Sequence, residues 1–123
     1  MAAIAKLEDI ESWQGARCLV KEIYQVTGQG VLARDHGLRD QLQRAAVSIM
    51  SNIAEGFERG SDREFRQFLY VAKASAGEVR SLLYIALDLG YLDAQAHQLL
   101  MEQATRLSRQ LSGFIKYLSS DLR

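Results

Sequence analysis

Residues Gln41–Phe65 read QLQRAAVSIMSNIAEGFERGSDREF, and this stretch decides the fold of the chain. Its apolar residues recur at helical spacing, and Ser48, Asn52 and Glu55 form a polar stripe beside them. Two glycines then interrupt the helix before Ser61 opens another. Because polar groups beside a core must find partners, the stretch predicts two helices that interlock.

The helix that follows the break has the strongest start signal in the chain. Ser61 and Glu64 have the spacing of a capping box, and Gly90 is a natural stop after Leu89. A seven-residue repeat kept over this length indicates near-parallel packing at a shallow angle. Its two rows are Phe65, Ala72, Val79 and Ala86, and Phe68, Ser75, Leu82 and Leu89.

Three further helices are predicted by the same periodicity. The first spans about Ile10 to Thr27, the second starts after the N-cap Asp35, and the fourth starts after the N-cap Asp93. Short connectors favour antiparallel neighbours, so we expect an all-α, antiparallel up-down four-helix bundle that forms a single domain over residues 1–123. The apolar stripes are Trp13, Ala16, Val20 and Ile23; Leu38, Leu42, Ala45, Ile49 and Ile53; and Leu100, Leu107, Leu111, Phe114 and Leu118.

The composition excludes several classes of protein. Of 123 residues, 48% are hydrophobic and none is proline, which suits a chain that is mostly helix. Fifteen basic and fifteen acidic residues cancel, so binding to nucleic acid or an anionic membrane would need a local patch. No apolar run approaches the ~20 residues of a membrane span. Cys18 is the only cysteine, which predicts a reducing, cytoplasmic location and a small packing role for its side chain.

The sequence offers no motif for catalysis. Helical bundles often hold metals through Glu-x-x-His pairs, but His36 and His97 have Ala33 and Ala94 in the glutamate position. No glycine-rich phosphate loop or nucleophile elbow is present. We therefore expect no enzymatic activity, no metal, no cofactor and no small-molecule substrate.

A polar network between the second and third helices is the first candidate site. Paired carboxylates near a core can act as acid and base, but they can also belong to a hydrogen-bonded network that fixes helix register. We favour the structural interpretation, with Glu55 shielded and paired with Arg59, and Asn52 bonded across to the third helix. The predicted network comprises Ser48, Asn52, Glu55, Arg59, Ser75 and Glu78, with Gln41 on the same stripe.

A stripe on the far side of the third helix is the second candidate. Its basic half is Arg63, Arg66, Tyr70, Lys73 and Arg80, and its apolar half is Tyr84, Leu87 and Tyr91, flanked by Val71 and Ile85. Three interpretations stay open: a solvated charged face, a nucleic-acid patch in which Tyr70 stacks on a base, and a subunit interface. The fourth helix adds a second set of cations, Arg106, Arg109 and Lys116.

The quoted stretch resembles the 23S rRNA intervening-sequence protein family. The similarity lies in the runs Arg44–Ile49 and Ser51–Gly56, in Arg59, and in the closing run Leu89–Leu92. It extends over roughly Trp13 to Leu118 and implies a four-helix bundle without an established enzymatic activity.

The resemblance also implies partners. Family members form homo-oligomers, typically of five bundles, and a related branch, the accessory variability determinant of diversity-generating retroelements, joins a reverse transcriptase and binds nucleic acid. Two functions are therefore expected: a homo-oligomeric scaffold or interaction module, most often a pentamer, or an RNA- or DNA-binding accessory protein that uses the basic stripe.

Overall fold

The computed structural model describes residues 4–120, apart from the side chain of Ser120, and this part of the chain contains helices and no strand. Short 3₁₀ helices at Leu7–Asp9 and Leu32–Arg34 precede the first two α-helices. The expected all-α fold with four main helices is confirmed. These are α1 (Glu11–Thr27), α2 (His36–Glu58), α3 (Asp62–Asp88) and α4 (Ala94–Ser120).

All three predicted N-caps are present. The side-chain oxygens of Ser61, Asp35 and Asp93 accept hydrogen bonds from the backbone N–H groups of Glu64 (3.2 Å), Leu38 (3.1 Å) and Ala96 (2.8 Å). In the capping box, the Glu64 carboxylate accepts from the Ser61 hydroxyl at 3.3 Å. The predicted stop at Gly90 is also confirmed, since its φ of 74° lies in the left-handed region that glycine adopts readily.

The helices form a closed ring of neighbours around one core. Each packs on the next in the chain and α4 packs on α1, so that α3 lies diagonally opposite α1. The predicted row Phe65, Ala72, Val79 and Ala86 is fully buried. Leu89 was predicted to continue the second row and is instead exposed, because α3 ends one residue earlier.

Cys18 is exposed on α1, so its predicted packing role is wrong. The core side of α1 is set by Ala16, Leu19 and Ile23. Two residues turn a helix by about 200°, which places Cys18 almost opposite Ala16. Among residues 4–120, no helix is long and apolar enough to cross a membrane.

Candidate functional site

The centre of the predicted polar network lies in the seam between α2 and α3. The hydroxyl oxygens of Ser48 and Ser75 are 2.8 Å apart and share a hydrogen bond across the two helices. Asn52 donates through Nδ2 to the Ser48 carbonyl at 2.8 Å and to its hydroxyl at 3.0 Å. The expectation that Asn52 bonds to α3 is therefore wrong. Its amide donates to the residue one turn earlier on α2, and it is Ser48 that forms the hydrogen bond to α3.

The charged members of the predicted network take no part in the hydrogen bonds among Ser48, Asn52 and Ser75. Glu55 and Glu78 are exposed, and neither forms an ion pair within the described part of the chain. Arg59 follows the end of α2 in extended conformation and places its guanidinium 4.8 Å from the centre of the Phe68 ring. The predicted shielded pair of Glu55 and Arg59 is thus wrong, since the extended backbone leads Arg59 towards α3 and its aromatic ring.

The geometry also separates the two carboxylates. Ser75 faces Ser48, and Phe65 packs on Phe57, so α2 and α3 run antiparallel. Glu78 therefore lies towards the start of α2, whereas Glu55 lies towards its end. Carboxylates on opposite sides of the serine contact cannot act on one substrate atom as an acid and base pair.

The basic half of the α3 stripe borders α4. Arg66 donates through Nη1 to the Ser119 hydroxyl at 3.0 Å, and that hydroxyl donates to the carbonyl of Ile115 at 2.8 Å. Arg80 is half-buried as well, with an Nε atom that is fully buried and has no hydrogen-bond partner in residues 4–120. Arg63, Tyr70 and Lys73, the remaining stripe members, are exposed.

The contact between Arg66 and Ser119 brings the cations of the fourth helix to the same face. Lys116 lies one turn before Ser119, and Arg109 lies two further turns along α4. Lys73 lies two turns after Arg66 on α3, whereas Arg109 lies two turns before Lys116 on α4. Because the two helices are antiparallel, both steps lead the same way along the bundle and keep the cations of α3 beside those of α4. The two basic sets that the sequence left separate therefore form one patch, whose members are Arg63, Arg66, Lys73, Arg109 and Lys116. Arg106 lines one surface depression with Arg109 and Glu102, and it also borders the groove between α1 and α4.

The outermost ridge of α3 carries apolar side chains towards both of its ends. Tyr70 (56% exposed), Val71 (50%), Tyr84 (52%) and Ile85 (44%) all project from it. The small residues Ala74, Gly77 and Ser81 lie between the two pairs, and so does the exposed Glu78, seven residues from both Val71 and Ile85. The ridge therefore presents two apolar patches joined by small residues and one carboxylate, a spacing that helix packing uses.

The predicted interface residue Tyr91 makes its polar contact within the chain. Its hydroxyl donates to Asp35 Oδ2 at 3.0 Å, while Asp35 Oδ1 caps α2. The hydrogen bond to Asp35, with desolvation and the negative charge of that carboxylate, raises the pKa of Tyr91. Tyr91 and Leu87 are both half-buried, so of the three predicted interface residues only Tyr84 is exposed, and the interface itself stays a prediction.

The burial of His97 was not predicted from the sequence. Its imidazole is buried against Tyr84, with ring centres 4.9 Å apart, and its Nε2 has no partner in the described residues. The apolar spacing of α4 places residue 97 one turn before Leu100 on the core side, which is a signal that could have found it. No cluster of three or more metal-binding side chains occurs in the part of the chain that the structure describes.

Comparison with known families agrees with the fold. A model of the 23S rRNA-intervening sequence protein family matches residues 8–113. The chain belongs to this family. A solved structure from Bacteroides thetaiotaomicron, described as a protein of unknown function from the S23 ribosomal protein family, superposes with a TM-score of 0.78. It is 19% identical and the match covers 85% of this chain and 98% of that one, a likeness that shows the fold alone. A comparison with curated proteins finds no match.

Proposed function

We propose that this member of the 23S rRNA-intervening sequence protein family is a non-enzymatic, cytoplasmic scaffold or interaction module that assembles with copies of itself. The observation that carries the proposal is the apolar ridge of α3, formed by Tyr70, Val71, Tyr84 and Ile85 around a row of small residues. Four half-exposed apolar side chains on one helix face, in two pairs about 21 Å apart along α3, leave apolar surface that a partner can bury. The family resemblance supports a ring of five copies.

Small residues in the middle of the ridge support a helix as the partner surface. Gly77 lies between the two exposed pairs, and a Cβ built on it would meet only Arg80 Nη2, at 3.9 Å. Helices pack more closely where the contact residues are small. The two exposed pairs would then flank the contact and supply most of its buried apolar area.

The first test measures molar mass by light scattering coupled to size exclusion. Changing both Val71→Glu and Ile85→Glu should convert the oligomer into a monomer, because each charge would be buried in the contact. The matched control is Leu99→Glu, which alters an equally exposed apolar residue on α4 outside the ridge and should leave the mass unchanged. A wild-type chain with the mass of a monomer at micromolar concentration would overturn the proposal.

A second candidate function is binding of RNA or DNA to the joined basic patch. The hydrogen bond from Arg66 to Ser119 supports it, because it aligns the cations of α3 with Arg109 and Lys116 of α4. Residues 66–77 and 103–119 contain no acid, and none of the patch cations forms an ion pair within residues 4–120. Free cations on one face are what phosphate recognition requires.

Fluorescence anisotropy of a labelled single-stranded RNA, repeated over a range of salt concentrations, tests this candidate. We expect the logarithm of the affinity to fall linearly with that of the salt concentration. Lys73→Glu together with Lys116→Glu should abolish binding without touching the Arg66 hydrogen bond. Lys21→Glu is the control: it makes the same kind of charge reversal at an exposed lysine on α1, outside the patch, and should leave binding largely intact. Absence of binding at low salt would leave the scaffold function alone.

A further inference from the structure

A cleft at the open end of the bundle lies between the start of α1 and the end of α4. Its volume is 390 Å³, within the range of small-molecule sites. Ile4, Ile10 and Phe114 give it an apolar wall, while Asp9, Glu11 and Ser12 supply polar groups. Its wall residue Phe114 also packs on Phe65 of α3, with ring centres 5.1 Å apart, so the cleft lies at the end of the bundle where α2 connects to α3.

The hydroxyl of Ser12 is an unusual feature of this cleft. Ser12 is 3% exposed, and its Oγ has no hydrogen-bond partner in residues 4–120. A buried hydroxyl without a partner costs free energy that a suitable ligand atom would recover. The carbonyl four residues before Ser12, that of Glu8, accepts from Gln14 Nε2 at 2.6 Å instead.

The charges of the lining select the kind of ligand. Asp9 and Glu11 both line the cleft, and no lysine or arginine does. Glu11 accepts a hydrogen bond from Gln110 at 3.0 Å, whereas the Asp9 carboxylate has no partner in the described residues. The positive end of a helix dipole is equivalent to roughly half a charge, so two carboxylates outweigh it and favour a cation.

We propose that this cleft binds a small primary ammonium ion that carries an aromatic or branched apolar group. The apolar group would lie against Ile4, Ile10 and Phe114. The ammonium would donate to the free Ser12 hydroxyl and to the Asp9 carboxylate. This site does not depend on self-assembly. A monomeric mass would therefore overturn the proposed scaffold without touching the cleft, and a cleft that binds no ammonium would leave the scaffold standing.

Titration of the full-length ¹⁵N-labelled chain with 2-phenylethylammonium chloride tests the inference by amide chemical shifts. Saturable shifts are expected at residues 10–13 and at Phe114, with a dissociation constant on the order of a millimolar for so small a ligand. Two further probes, 3-phenylpropanoate and 2-phenylethanol, share the phenyl group but carry a negative charge and no charge. They separate the effect of the ligand's charge from that of burying its apolar group. The carboxylate should give no saturable shifts and the alcohol clearly weaker ones.

Variants then assign the two polar contacts. Asp9→Asn should weaken binding of the ammonium about twofold to fivefold, the effect expected of an exposed charge pair. Asp88→Asn, an exposed acid at the end of α3, should leave it unchanged. Ser12→Ala should also weaken binding while the shifts of α2 and α3 stay those of the folded chain. Equal affinity for all three probes, an Asp9→Asn variant that binds like Asp88→Asn, or no saturable shifts in the cleft would each overturn the inference.

Discussion

Two seams of the bundle each contain a helical glycine that faces a neighbouring helix, and they differ in how tightly that glycine is held. In the α2–α3 seam, a Cβ on Gly56 would lie 2.7 Å from Phe65 Cδ1 and 2.8 Å from Phe68 Cβ. In the α1–α4 seam, a Cβ on Gly15 would lie 3.1 Å from Gln110 Oε1. The first neighbours are the ring and Cβ atoms of packed residues, and the second is the end of a flexible side chain.

The difference shows how the two seams are stabilised. The α2–α3 seam is close, and its polar contact is correspondingly small, two serine hydroxyls 2.8 Å apart. The α1–α4 seam is filled in part by longer polar side chains, including Gln110, which reaches Glu11. The close seam should therefore be sensitive to single atoms, whereas the open seam can adjust and has room for the cleft.

The largest effect is expected when Gly56 is changed to alanine. The added methyl cannot fit beside Phe65 and Phe68, so the cost of overpacking should be at the upper end of its usual range, about 3 kcal/mol, which exceeds the roughly 1 kcal/mol that alanine gains as a helix former. Thermal unfolding followed by circular dichroism measures the change. Gly113→Ala, where a Cβ would meet nothing within 4 Å, should instead stabilise the protein. A Gly56→Ala variant as stable as wild type would refute the close approach.

The next largest effect concerns the serine contact in the same seam. Ser75→Ala removes the hydrogen bond that the Ser48 hydroxyl makes to α3, leaves that hydroxyl with its contact to Asn52, and should cost about 1 kcal/mol. Ser51→Ala, an exposed serine on α2, should change stability by less than about 0.5 kcal/mol. Urea denaturation of both variants gives the comparison. Equal midpoints for the two would show that the crossing hydrogen bond contributes nothing.

The start of α3 should show a smaller loss. Ser61→Ala removes the cap on the Glu64 N–H and should lower the free energy of unfolding by about 0.5–1 kcal/mol, since the cap is exposed. Ser81→Ala, inside α3 and exposed, is the matched change without a cap. Chemical denaturation should find only the first variant destabilised. An unchanged transition for Ser61→Ala would contradict its role as a cap.

The contact between Tyr91 and Asp35 gives a small effect that depends on pH. Only the neutral phenol can donate, so the raised pKa of Tyr91 means that the contact stabilises the fold below tyrosine's ordinary pKa of about 10. That stabilisation is lost as the pH rises through the raised pKa. Tyr91→Phe should melt slightly below wild type at pH 7, and the two should converge in alkaline solution. A difference in melting temperature between the two proteins that stays constant across that pH range would contradict the dependence on the ionisation of Tyr91.

The smallest effect is expected at Gly15, on the open seam. In a Gly15→Ala variant the Gln110 side chain can move aside, and the helix propensity of alanine offsets the loss of its contact, so the stability should change by less than about 0.5 kcal/mol. The same melting experiment as for Gly56 applies. A loss as large as that of Gly56→Ala would erase the distinction between the two seams.

Local pattern in the sequence was sufficient for the four helices and their caps, but not for the end of α2, which continues through the predicted break at Gly56 to Glu58 because that glycine packs against α3. The caps at Asp35, Ser61 and Asp93, and the stop at Gly90, each depend on a few neighbouring residues and were all predicted. The buried row of α3 follows from its seven-residue repeat for the same reason. Periodicity within one helix tells which residues share a face, and burial of that face is nearly obligatory in water.

Only the tertiary structure decided which neighbour each polar side chain contacts. Asn52 could have crossed to α3, and Tyr91 could have faced solvent, because the sequence pattern places each on a face without fixing its rotamer or partner. Arg66 illustrates this most clearly: a long flexible side chain beside a helix boundary can extend into water or donate to Ser119. The joined basic patch and the cleft beside Ser12 arise from pairs of helices distant in sequence, so no single segment contains the information that forms them.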